Sequence, residues 1–172
     1  MLHIAKPNNS EYPVYFESYI QPIDSDNLLD LLAKSGQQCA SFFQNIPVAK
    51  QEFRYADKKW TPKEILLHCI DAERIFMYRA LRFSRNDPSN LSGFDENLFA
   101  PQSNANNRSM AHLLAEFQHV RASTIALFEG MTQEMCLRIG AANGNLVSVR
   151  ALGFFVVGHE QHHVSVIQHR YL

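Results

Sequence analysis

His159 and His163 stand one helical turn apart near the end of the chain. They sit inside an apolar segment that runs from Leu152 to Val157 and resumes at Val164, Val166 and Ile167. Read as a helix, Leu152, Phe155, Val156, His159, His163, Val166 and Ile167 form a single stripe. Two imidazoles therefore occupy positions where a core helix normally places leucine or valine. Side chains at i and i+4 lie one above the other, close enough for two ring nitrogens to reach one metal ion. A lone histidine on such a face reads as a buried side chain satisfied by hydrogen bonds; a pair at this spacing points to metal. His162 lies about a quarter turn away and is expected beside the site or at the surface. The segment also fits H-E-x-x-H, in which two histidines hold zinc and the glutamate acts as general base. Glu160, however, is rotated off the His159/His163 direction and reads as solvated. A zinc protease also needs a third ligand, and none of the residues after His163 is Asp or Glu. The third ligand must come from upstream, and proteolysis becomes a minor alternative.

The upstream candidate is His68. Thr61, Pro62 and Glu64 spell a helix start: an N-cap, a proline at the first helical position and a capping-box glutamate. The stripe that follows is Ile65, His68, Cys69, Ala72, Ile75, Phe76, Ala80 and Phe83, so His68 again takes a core position. Glu64 and Asp71, about one turn on either side of His68, are candidates to orient its free nitrogen, although capping is the simpler role for Glu64. Arg79 falls on the same inward stripe, about 16 Å along the axis from His68. That separation excludes direct contact with a metal and predicts a structural partner, such as a carboxylate from another helix or a loop, with substrate binding as the alternative.

Other elements must hold these two helices face to face. Residues 1–22 contain Pro7, Pro13 and Pro22 with Tyr12, Tyr15, Phe16 and Tyr19 between them, which reads as an arm lying against the domain. Asp24 or Ser25 is expected to cap a first helix carrying Leu28, Leu31, Leu32, Cys39, Phe42 and Phe43 and ending before Pro47. A loop spans 48–59. A long polar connection, 86–107, includes Leu91, Phe94, Leu98 and Phe99 and is expected to pack over the site. A third amphipathic helix carries Met110, Leu113, Leu114, Phe117, Val120, Thr124, Leu127 and Phe128, with His112 and His119 on its solvated flank. Asn143-Gly144 marks a turn, and Ser148 can cap the last helix. Strand signals are weak. Four long amphipathic helices without a sheet predict an all-α, four-helix bundle in one domain, 1–172, with facing helices building a metal site in the core.

Bulk properties narrow the function. With 172 residues and a net charge of −1, the chain has no basic patch to draw it to nucleic acid or an anionic membrane. Cys39, Cys69 and Cys136 are scattered in apolar surroundings and read as buried thiols in a reducing cytoplasm. There is no signal-peptide pattern at the N-terminus and no apolar run near the ~20 residues of a membrane span.

The segment from Trp60 to Arg74, Gly93-Phe94-Asp95-Glu96, Ala142-Asn143-Gly144-Asn145 and Gly158-His159-Glu160-Gln161-His162-His163 together resemble the DinB-like, YfiT-like metalloenzyme superfamily. The resemblance runs from about Ile46 onward. It implies an up-down-down-up four-helix bundle, a divalent-metal site of three histidines and frequent homodimers. By position its ligands fall on His68, His159 and His163, the same three that the helical stripes select. Relatives include thiol-dependent transferases and isomerases. The expectation is a zinc- or nickel-dependent enzyme acting on a small molecule, a hydrolase or a thiol transferase. The alternative is a non-catalytic metal-binding bundle that serves as a brace or sensor.

Overall fold

The computed structural model describes residues 2–172. Its helices are α1 (Glu17–Ile20), α2 (Leu28–Gln44), α3 (Pro62–Ser84), α4 (Glu96–Gln102), α5 (Met110–Glu129), α6 (Gln133–Leu137) and α7 (Val149–Arg170). Strands β1 (Ile139–Ala142) and β2 (Asn145–Ser148) form a hairpin. The bundle consists of α2, α3, α5 and α7; α2 packs against α5 and α7, and α3 packs against the same two.

Contacts at the helix ends fix the directions. Tyr171, at the end of α7, donates to the Trp60 carbonyl just before α3 at 2.6 Å, so α3 and α7 are antiparallel. Asn106, just before α5, accepts from Thr61 at 2.7 Å and donates to Glu64 at 2.9 Å, so α5 and α3 start at the same end. Leu28 at the start of α2 and Phe128 near the end of α5 both press on Gly153 near the start of α7. The order is therefore up-down-down-up. Because α3 and α5 are parallel neighbours, the chain must travel back along the whole of α3, about 34 Å at 1.5 Å per residue, before α5 can begin. That return is the physical reason for the long polar connection seen in the sequence.

The starts of α3 and α7 are as the sequence predicts, and Ser109 supplies a further cap that the sequence reading did not name. The Glu64 N–H donates to Thr61 Oγ1 at 3.1 Å and the Thr61 N–H donates to Glu64 at 2.8 Å, completing the capping box of α3. Ser109 accepts from the His112 N–H to cap α5, and Ser148 accepts from the Ala151 N–H at 3.1 Å to cap α7. The first helix differs. Its N-cap is Asn27, not Asp24 or Ser25, because Ile4 of the N-terminal segment accepts the Leu28 N–H and fixes where the helix begins.

The hairpin is the main departure from the sequence reading. Asn143 and Gly144 both have positive φ, 51° and 74°, the two-residue turn that matches strand twist. Leu91, in the long connection, pairs with this hairpin: its N–H donates to the Ala141 carbonyl and its carbonyl accepts from the Asn143 N–H. The strands are only four residues each, too short for alternation to register in the sequence.

The N-terminal segment closes against α7. Phe16 stacks on Phe155 with centroids 3.8 Å apart, and Arg150 donates to Glu11 at 2.8 Å. Gly158 permits this approach: a Cβ there would lie 2.2 Å from the Tyr19 carbonyl oxygen.

The apolar interior is split into two clusters. Between them a polar layer crosses the bundle at mid-height. Arg121 of α5 donates to Glu73 of α3 at 2.9 and 3.1 Å, to Glu160 of α7 at 2.5 Å, and to the Leu32 carbonyl and Ser35 hydroxyl of α2 at 2.9 and 3.2 Å. Glu160 was expected at the surface; instead it is 3 % exposed. It leaves the His159 direction by about 100°, and that direction leads into the bundle rather than out of it. Removing the cation would strand two buried carboxylates. Arg121→Ala should therefore lower unfolding stability by roughly 3–5 kcal/mol, while replacing all three charged residues together by Met and Leu should recover most of that loss. Urea titrations of the two variants check this.

Candidate metal centre

Helix α7 is buried on nearly every side from Val149 to Glu160, a stretch that includes His159, and half-buried His163 follows one turn on. A helix with apolar residues all round sits in a core, and its two imidazoles go in with it. The antiparallel seam with α3 then sets His68 opposite them. His68 Nε2 lies 3.0 Å from His159 Nε2, and His163 Nε2 lies 3.1 Å from the same atom. All three nitrogens lie within 4.8 Å of one another, and no other His, Cys, Asp or Glu among the described residues joins them.

Hydrogen bonding alone does not satisfy this cluster. A neutral imidazole nitrogen is either one donor or one acceptor, yet His159 Nε2 faces two other ring nitrogens at hydrogen-bond distance. A cation at the centre would take a lone pair from each. Two nitrogens bound to one tetrahedral zinc at 2.0–2.1 Å sit roughly 3.3 Å apart, close to the observed separations. Burial also keeps the rings neutral. It pushes His68 down to about 4 and His163 down to about 3. His159 is lowered too, first by burial and then by His163, His68 and His162.

The surroundings are aromatic. Trp60 lies against His68 with centroids 4.8 Å apart, while Tyr19 and Phe76 meet His159 at 5.8 and 6.2 Å. The three histidines line a cavity of about 510 Å³. The long connection supplies part of its wall through Gly93, Phe94 and Glu96, as its apolar residues led one to expect, and the hairpin supplies Asn143 and Asn145.

Other residues singled out in the sequence lie elsewhere. His162 is exposed and touches Tyr19 and His163 by ring edges. Neither Glu64 nor Asp71 steers His68. Glu64 is taken up by Arg54 at 2.7 and 2.8 Å, the Thr61 N–H and Asn106; Asp71 faces Arg74 at 3.4 Å. Their one-turn spacing from His68 turns them toward the α5 side and the helix start. His112 and His119 are exposed. Cys39, Cys69 and Cys136 are free and buried, and burial raises the pKa of each thiol. Arg79 lines the cavity, but its partner is the Ser92 carbonyl at 2.9 Å, not the expected carboxylate. The Glu73–Arg121–Glu160 contacts were missed. Arg121 lies between Phe117 and Thr124 on the apolar stripe of its helix, and a charge at a core position was the available signal.

The DinB superfamily profile matches residues 31–167, and the chain belongs to that superfamily. A solved structure of similar fold is YfiT from Bacillus subtilis, described as a probable metal-dependent hydrolase with an unusual four-helix bundle topology. The TM-score is 0.74 at 16% identity, covering 96% of this chain and 91% of that one. No curated protein matches the sequence. No helix among the described residues is long and apolar enough to cross a membrane.

The lowered histidine pKa values have a consequence for the metal-free protein. An imidazole held below its ordinary 6.5 in the folded state leaves the unfolded chain with more bound protons at intermediate pH. Stability must then fall as the pH drops. The effect should begin near pH 6.5. It falls above the range of Glu11, whose carboxyl is held at about 2 by Arg150 and the Asn8 N–H against the opposing effect of burial. Urea midpoints measured from pH 7.5 to 4.5 in the presence of chelator should decline. The slope should flatten in His163→Gln, which cannot take up that proton.

Proposed function

We propose that His68, His159 and His163 hold one divalent ion, and that the chain is a metal-dependent hydrolase of a small molecule. The observation that carries this reading is the convergence of three neutral imidazole nitrogens in the wall of a cavity, with no fourth protein ligand among the described residues to close the set. Closed sets are typical of structural zinc, whereas catalytic zinc keeps a position open. An all-nitrogen donor set suits zinc or nickel.

When bound, such an ion supplies Lewis acidity and lowers the pKa of water, the chemistry of hydrolysis near neutral pH. The chain's own residues do the rest. Burial keeps the three imidazoles unprotonated, and the rings of Trp60, Tyr19 and Phe76 pack against them. The description of YfiT as a probable metal-dependent hydrolase supports the same reaction class. Proteolysis by an H-E-x-x-H mechanism finds no support, since Glu160 pairs with Arg121 and is not among the residues lining the cavity.

Two measurements test the proposal. Metal content after exchange against a mild chelator should be one ion per chain in the parent. It should fall sharply in His68→Ala, His159→Ala and His163→Ala, and stay at the parent level in His112→Ala and His119→Ala. Zinc or nickel should also raise the thermal midpoint, because a ligand bound only by the folded state stabilises it. A panel of small esters, amides and lactones should include compounds hydrolysed by the loaded protein, with turnover lost on chelation and restored by the ion. A His68→Ala protein that keeps its metal as tightly as the parent would contradict the site. Thiol addition or exchange without any hydrolysis would contradict the reaction class.

A further inference from the structure

Arg79 is the one guanidinium in the cavity that holds the three histidines, and it is 8 % exposed. Its single protein acceptor among the described residues is the Ser92 carbonyl at 2.9 Å. A guanidinium has five N–H donors in a planar fork that matches a carboxylate, so most of its hydrogen-bonding capacity is unused by the protein. No carboxylate among the described residues lies within ion-pair distance. The contrast within the same fold is sharp. Arg121 and Arg150, the other two arginines counted as buried, are each paired with glutamate. Burying a cation without a counter-charge is costly, and here burial alone is the cause that lowers the Arg79 pKa.

The position is also informative. Arg79 lies three helical turns beyond His68 on α3, about 16 Å along the axis. Helical side chains lean toward the helix N-terminus, which on α3 is the end nearer His68. Between His68 and Arg79 on α3 the residues that line the cavity are Ala72 and Phe76, and Phe16 and Phe155 are also in the lining. Glu96 is an anion in the lining, but it forms no ion pair with Arg79.

We infer that Arg79 is a substrate-binding residue that receives a carboxylate, so that the molecule acted on is elongated, with its reactive group at the histidine end, an apolar middle and an acidic far end. This inference rests on the reading of the histidines as a metal site only for which end reacts; the anion subsite stands on Arg79 alone.

The probes are straight-chain dicarboxylic acid mono-hydroxamates, whose hydroxamate chelates metal and whose far end is an acid, beside matched compounds ending in a primary amide. Titration calorimetry is run on the zinc-loaded protein with chains of four to eight methylenes. At the best length the acid should bind about tenfold more tightly than the amide, the scale of a charge-assisted hydrogen bond. That preference should vanish in Arg79→Gln and survive in part in Arg79→Lys, with metal content unchanged in both. Equal binding of acid and amide to the parent at every length would overturn the inference without recourse to any variant. An acid preference that persists in Arg79→Gln would overturn it too. Failure of the metal reading is seen separately, as hydroxamates binding no better than the same chains ending in a simple N-methyl amide, while the acid preference and its dependence on Arg79 remain measurable.

Discussion

Two imidazoles on one helix can meet a third on another only where the two helices lie in contact and are turned to face each other. The antiparallel seam between α3 and α7 meets that condition, and much of the remaining structure keeps it. Residue 159 and residue 160 point about 100° apart on a helix. Glu160 is gripped by Arg121, which is also held by Glu73 on α3 and by α2. The ion pairs thus fix the rotation of α7 from one side while His159 faces the cavity on the other. Gly158 adds a second constraint, since its missing side chain lets the Tyr19 backbone close over the same turn.

The core is consequently not a continuous apolar column. A polar layer at mid-height separates two hydrophobic clusters, with the charged residues on one side and the histidines on the other. Burial has a different effect on each half. It lowers the histidines, so they remain neutral lone-pair donors. It raises Glu160, although the neighbouring Arg121 opposes the rise. A buried network of this kind adds little net stability over an apolar replacement; what it contributes here is orientation.

Much of this was legible in the sequence because the relevant signals were periodic. His68, His159 and His163 were conspicuous as polar residues on apolar stripes, and the capping residues Thr61 and Ser148 sit where helix starts need them. The bundle topology came from the family resemblance and not from the stripes, which give facing surfaces but no directions. Less was legible where the decisive partner is distant in the chain. Glu160 looked solvated because its partner is Arg121, thirty-nine residues earlier. Arg79 looked as if it needed a carboxylate, and only the fold shows a carbonyl and an open cavity around it. The hairpin at Asn143-Gly144 is visible locally as a turn; its strands are stabilised by Leu91 from the long connection, a contact no local pattern encodes.

The central claim is an open, three-imidazole metal site, and X-ray absorption at the metal edge tests it most directly. Spectra of the zinc- or nickel-loaded protein should show the multiple scattering of three imidazoles, at about 2.0–2.1 Å for zinc. At least one further light-atom ligand that the chain does not supply should also be present. Substituting His68 by Ala should reduce the imidazole count or abolish loading. A spectrum with sulfur or a fourth imidazole in the shell, or with fewer than three imidazoles in the parent, would contradict the site described here.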